Sequence, residues 1–353
     1  MFRLEPRAQP SRTMAWLSPL FAFALTLLCG FVLFMVVGKD PFASLFVFFI
    51  EPLNSAQDWA EIGVKVAPLL LISVGLAMCF RANVFNIGAE GQFVVGAILA
   101  GALILYVDDD TNGGWWMITL ALLAGAIGGA LWGAITAFLR DRYHANEILV
   151  SLMLVYVAEL LLSYLVHGVL RDPDGFGFPQ SRLFSDGFLL PMVLPGTRLH
   201  MGIVLALLAS LLGWLFLSRS FSGFRLQVGG MAPLAARYAG FSARKSLWTT
   251  MLVSGGLAGV AGACEIMGPI GQLTPSISPG YGFAAIIVAF VGRLHPIGVI
   301  FSSFIMALLY IGGELSQSRL GMPSAITGIF QGILLFALLA CDVLIYNRLR
   351  WRK

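Results

Sequence analysis

The stretch "NVFNIGAEGQFVVGAILAGALILYV", residues 83–107, decides the fold. From Phe93 onward it is an apolar run of the kind that crosses lipid as a helix, since a helix satisfies its own backbone polar groups where no water can. Its opening is different, gathering Asn83, Asn86, Gly88, Glu90, Gly91 and Gln92. Asn83 is placed to cap the helix. Gly88 and Gly91 each lower helical propensity by up to about 1 kcal/mol relative to Ala, and glycines let a neighbouring helix approach closely. A carboxylate at Glu90 is costly against lipid, so it faces the bundle interior, a water-filled path or the cytoplasmic interface. Two readings stay open. Glu90 belongs to a packed helix start, satisfied by nearby backbone or by Arg81, or Asn86, Glu90 and Gln92 lie along a path for a polar solute.

Outward from this stretch the same alternation of apolar run and polar break continues. Of 353 residues, 58% are hydrophobic and 11% charged, against roughly 25% charged in an ordinary soluble domain. Runs of about 20 apolar residues predict about ten crossings, near 16–37, 60–80, 86–106, 115–139, 148–170, 199–217, 247–267, 283–291, 296–313 and 325–345. The eighth is short for a span. The fold class expected is an all-α integral membrane protein. Arg3, Arg7 and Arg12 precede the first run as in a signal peptide, but the run exceeds an h-region and no cleavage site follows, so it is expected to be retained.

Cytoplasmic loops accumulate Lys and Arg. Placing the N-terminus inside assigns the N-terminal tail, Arg81, Arg140, Arg142, the loop from Arg219 to Lys245, Arg293, and the tail bearing Arg348, Arg350, Arg352 and Lys353 to the cytoplasm. The opposite loops carry Asp40, Glu51, Asp58, Asp108, Asp109, Asp110, Asp172, Asp174 and Asp186. Both termini are expected in the cytoplasm. The net charge of +4 reflects this asymmetry and gives no argument for nucleic acid.

About half of the spans precede a long outer segment and half follow it, so the two halves enter the membrane from opposite sides, an inverted-topology arrangement common in transporters. The expected organisation is one transmembrane domain: a cytoplasmic tail (1–15), a first half (16–170), an extracytoplasmic loop (171–198), a second half (199–345) holding a cytoplasmic loop (219–246), and a second tail (346–353). A faint echo links the halves, because "NIGAEGQFVVGAILAG" and "SPGYGFAAIIVAFVGR" both pass from Gly-rich sequence into an apolar helix. No segment is long and polar enough for a soluble domain. The phosphate-binding pattern G-x-x-x-x-G-K-[ST] is absent, since Gly38-Lys39 is followed by Asp40. The chain is not expected to be an enzyme or to hydrolyse ATP. Cys29, Cys79, Cys264 and Cys341 lie in apolar runs without metal or disulfide spacing, and the histidines are scattered, so no metal and no cofactor is expected.

Two further carboxylates lie inside spans, Glu159 in "YVAELLLSY" and Glu265 in "AGACEIMGP"; each is a pathway residue or a buried, paired group. After Glu265, "GPIGQLTPSISPGYG" (268–282) cannot be a continuous helix. At membrane depth such a segment needs protein or water around it, as a gate, a re-entrant loop, or a loop between spans. In the 219–246 loop, Pro233 suits the first turn of a helix and Gly240 its end. The short piece between them, with Leu234, Ala235, Ala236, Arg237, Tyr238 and Ala239, is suited to seat in a groove of another protein, with Arg237 and Tyr238 fixing register. The alternative is a basic loop against anionic headgroups. Asn146 and Glu147 read as a helix cap and first turn, and Trp115 and Trp116 as interfacial anchors.

Together, "FRANVFNIGAEGQFVVGAILAG" (80–101), "ANEILVSLMLVYVA" (145–158), "PLAARYAGFSARK" (233–245) and "GGLAGVAGACEIMG" (255–268) resemble the membrane permease subunits of bacterial ATP-binding-cassette (ABC) importers for nucleosides and simple sugars, in particular the nucleoside-type branch. The resemblance runs roughly from the second span to the tenth. It implies a type II-like importer permease in the bacterial inner membrane, whose 219–246 loop couples to a separate cytoplasmic ATPase through Pro233 to Gly240. It also implies a second related permease, as a heterodimer, and an extracytoplasmic solute-binding protein or lipoprotein. The sequence departs from the more polar nucleoside-branch form at Val150, Leu152 and Val155, which leaves a sugar or branched-chain amino acid as alternative solutes. A proton-coupled secondary transporter using Glu90, Glu159 or Glu265 as a relay is the reading from another class.

Overall fold

The computed structural model describes residues 2–7, 9, 11–107 and 113–351. Asp108, Asp109, Asp110, Arg352 and Lys353, which enter the orientation argument, lie outside the described residues. In chain order the elements are β1 (Phe2–Pro6), α1 (Arg12–Val36), α2 (Pro41–Phe49), α3 (Ala56–Arg81), α4 (Ala89–Val107), α5 (Trp115–Tyr143), α6 (Glu147–His167), α7 (Gly202–Arg219), α8 (Phe221–Met231), α9 (Pro233–Tyr238), α10 (Ala243–Glu265), α11 (Tyr281–Val291), α12 (Pro296–Leu320), α13 (Ala325–Tyr346) and β2 (Asn347–Trp351). Among the described residues, α1, α3, α4, α5, α6, α7, α10, α12 and α13 are long and apolar enough to cross a membrane, and α11 is a shorter apolar helix. The multispanning helical fold read from the sequence is therefore the observed one.

Two compact units emerge, one made of residues 1–62 and 305–353 and the other of 63–304. In the terminal unit α1 packs along α13, and Phe34, Phe48, Phe49 and Phe330 form its aromatic centre, with Phe48 stacked on Phe330 at 4.3 Å between centroids. The helix α2 was not anticipated, because its nine residues are too few to span. Its start is nonetheless written locally: Asp40 accepts from the Phe42 N–H at 2.9 Å, and Pro41 occupies the first helical position. Also unanticipated is the antiparallel pairing of β1 with β2, Phe2 opposite Trp351 and Pro6 opposite Asn347. It joins the two tails, and so brings both termini to one side.

The central unit is built on α4, α5 and α10, packed on one another. Its Gly-rich sequence explains the closeness. A Cβ at Gly259 of α10 would stand 2.0 Å from the Gly125 carbonyl oxygen of α5, and one at Gly96 of α4 would stand 2.2 Å from the Gly259 Cα. Only glycine lets these backbones approach so far, and in lipid, where apolar burial between helices gains little, such packing is the principal source of association. The buried helix α3 lies against α10, where a Gly75 Cβ would meet Ser254, and against α7, where a Gly213 Cβ would meet Val74.

Candidate translocation site and coupling face

The two Gly-rich stretches that echo one another in sequence meet inside the central unit. The start of α4 faces the start of α11, and a Cβ at Gly282 would lie 2.3 Å from the Glu90 nitrogen. The Glu90 carboxylate accepts from the Gly282 N–H at 2.5 Å, and the Ser278 side chain and Gly280 backbone also bond to it. Glu90 is 3% exposed. Its charge thus faces the unpaired N–H groups and positive dipole end of α11. Of the two partners considered for Glu90, nearby backbone is the one seen, whereas Arg81 points elsewhere.

Beside this junction, Tyr281 is fully buried, edge-on to Phe93 at 6.0 Å. Its hydroxyl lies 3.5 Å from Glu265 Oε1 and the Lys65 ammonium stands 5.9 Å from its ring centroid. Lys65 was missed from sequence; the available signal was a cation within the predicted 60–80 span. Asn86 and Gln92 are buried and bonded to each other, the Asn86 amide donating to Gln92 at 2.9 Å and Gln92 returning a bond to Asn86 at 3.1 Å. Asn86 also donates to Ser254 of α10 at 3.0 Å, and its Oδ1 accepts from the Gly88 N–H at 3.1 Å. The turn into α4 is closed by Asn86, while Asn83 adopts a left-handed φ of 56° just past the end of α3. The expected cap at Asn83 is therefore not formed; Asn86 instead closes the turn ahead of α4.

The non-helical 271–280 segment is wrapped by protein. The Ser181 and Phe184 N–H groups donate to Leu273 and Gly271 carbonyls, each at 2.9 Å, and Leu273 N–H donates to Ser181 Oγ at 2.9 Å. The 171–200 segment thus supplies the partners that a broken helix lacks.

Glu159 is arranged differently. It lies on the exposed side of α6 and has neither hydrogen-bond nor ion-pair partner among the described residues. The Asn146 cap of α6 is as read, accepting from the Ile148 N–H at 2.9 Å, and Glu147 pairs with Arg140 at 2.6 Å. Val155, a position of departure from the nucleoside-branch form, is buried against Gly91 of α4.

At the other functional face, α9 follows α8 with Pro233 in its first turn and Gly240, φ 76°, past its end. Leu234 is 85% and Tyr238 97% exposed, and Ala235, Arg237 and Ala239 are exposed as well, whereas Ala236 is 4% exposed and turns inward. The segment is tied to the bundle through Arg81, which donates to the Leu294 carbonyl at 2.8 Å and to Gln227 of α8 at 2.9 Å. A Cβ at Gly230 would sit 2.0 Å from the Arg81 carbonyl oxygen. The helix α8 is thereby bonded to the end of α3, and through Arg81 to the segment just past α11. A cavity of about 1050 Å³ opens beside α9, lined among others by Asn83, Arg140, His144, Arg225 and Arg244.

With this geometry in hand, known proteins give it a context. A family model described as branched-chain amino acid transport system/permease component matches residues 59–339. The chain is 31% identical over 350 residues to the glucose ABC transporter permease protein TsgB13 of Haloferax volcanii, covering 96% of this chain and 91% of that one. It is 31% identical over 322 residues to the guanosine ABC transporter permease protein NupP of Bacillus subtilis, covering 90% and 91%. A second guanosine permease protein of Bacillus subtilis, NupQ, is 26% identical over 264 residues, covering 71% and 81%. A multispanning bundle, a short exposed helix on a basic loop and no phosphate-binding motif agree with a non-catalytic membrane subunit driven by a separate ATPase: the chain belongs to the branched-chain amino acid transport system/permease component family of ABC transporter permeases.

Proposed function

We propose that this permease subunit forms, with a second related permease, the pathway for a nucleoside or simple sugar across a bacterial cell membrane. An extracytoplasmic solute-binding protein or lipoprotein delivers the solute, and closure of the ATPase against Pro233 to Gly240 drives the change of access. The observation that carries this is α9 itself, whose Leu234 and Tyr238 project almost fully from the chain while Arg81 and Gln227 anchor its base. The guanosine and glucose permeases at 31% identity support the solute class, and the paired guanosine permeases support a heterodimer.

Pairing of β1 with β2 supports a common side for the termini, and the basic residues of the tails and of the 219–246 loop make that side the cytoplasm. The junction of α4 with α11 supports inverted halves, since each broken helix starts there from an echoing sequence. Asn86, Glu90, Gln92 and Glu265 hold the pathway wall, and Glu159 faces the pathway.

The test is uptake by the complex of this chain with its partner subunits in proteoliposomes. Accumulation of guanosine or glucose that requires ATP inside and survives collapse of the proton gradient is expected. Accumulation that follows the gradient and ignores ATP would replace this reading with a proton-coupled carrier.

A further inference from the structure

The helix α6 carries a polar stripe that the framework of the central unit does not use. Tyr156, Glu159, Ser163 and His167 recur at helical spacing along one side of a helix that is otherwise almost wholly apolar over its last four turns. Tyr156, Glu159 and His167 are exposed and Ser163 half-exposed. Glu159 lies about 3 Å along the axis from the midpoint of α6, near the depth where transporters bind their solutes. A carboxylate at that depth cannot rest against hydrocarbon, and among the described residues it has no hydrogen-bond or ion-pair partner. It is left open to a partner from outside the chain.

The chemistry of that partner is narrow. An ionised carboxylate only accepts hydrogen bonds, and its two oxygens can take two donors side by side. The Tyr156 ring, one turn before Glu159 on the same side, offers a flat face for a sugar ring or a base. Neighbouring hydroxyls on one sugar ring present paired donors of that kind, in ribose as in a hexose. We infer that Glu159 is a specificity-determining residue of the pathway, accepting hydrogen bonds from the vicinal hydroxyls of the passing solute while Tyr156 lines its ring face.

The inference rests on the importer reading above, and its experiment separates the two. The complete complex, wild type or Glu159→Gln, is assayed for ATP-driven uptake of guanosine and 2′-deoxyguanosine, and of glucose and 2-deoxyglucose. Because the solute-binding partner is the same in every arm, a change in the ratio between variants reports the membrane pathway. The wild type's preference for guanosine over 2′-deoxyguanosine, or for glucose over 2-deoxyglucose, which keeps its 3,4 pair but lacks the pairs that include the 2-hydroxyl, should fall on the order of tenfold in Glu159→Gln, the worth of one charge-assisted hydrogen bond. Glu159→Asp should recover part of it. Which pair responds distinguishes nucleoside from sugar. Equal effects on both members of each pair, no effect on either, or loss of the second permease from the purified complex would each overturn the assignment. A wild-type complex that accumulates none of the four overturns the importer reading itself.

Discussion

Glu90 and Glu159 sit on packed neighbours, α4 and α6, at positions where a charge is costly, and the surroundings treat them in opposite ways. Glu90 is enclosed and takes its bonds from the start of α11. Glu159 is open to whatever covers α6. An intramembrane carboxylate can therefore stand in two distinct settings: one joins broken helices where the backbone has spare donors, the other stays open, the setting from which a solute contact is proposed. Sequence hydropathy scores the two residues alike, and only the packing separates them.

The comparison can be broken first at the framework that buries Glu90. Gly259→Leu puts a side chain where the Gly125 carbonyl oxygen already lies 2.0 Å from an added Cβ, so the variant should yield no monodisperse protein by size-exclusion chromatography in detergent. Gly328→Ala of α13, where an added Cβ meets nothing within 4 Å, should behave as wild type. Next, Glu90→Ala leaves the Gly282 N–H buried without its acceptor, a loss of about 1–3 kcal/mol. Its thermal midpoint should fall, whereas Glu159→Ala should leave the midpoint unchanged. Equal midpoints for the two variants would erase the distinction. The smallest effect is expected at the α6 cap, where Asn146→Ala should cost about 1 kcal/mol, visible as a modest midpoint shift without a change in solute preference.

Much of this architecture is legible in the residues themselves. Long apolar runs mark the spanning helices because lipid leaves the backbone no alternative, and Asn146, Pro233 and Gly240 mark helix ends because caps are local chemistry. Features that depend on what arrives from elsewhere in the chain are not legible. Asn83 looks like a cap until α3 is seen to end on it. The inward turn of Ala236 is invisible in a run of exposed neighbours, so the docking surface proposed for α9 is narrower than its composition suggests and rests chiefly on Leu234 and Tyr238. The close backbone approach along Gly255–Gly262 is not visible until α4 and α5 are laid against it, and α2 and the paired tails fall below any span-length criterion. Asn86 and Gln92 are identifiable as polar groups in a span, but their bonding to each other is a fact of packing.

The central claim is that work enters this bundle from a separate ATPase gripping α9. Its most direct test is the chain carrying Leu234→Ser together with Tyr238→Ala, purified with its partners and compared with wild type for bound ATPase. Both side chains project from the fold, so the doubly substituted chain should keep its thermal midpoint and lose the ATPase, and with it all ATP-driven uptake. Full retention of the ATPase by that chain, with uptake undiminished, would contradict the claim.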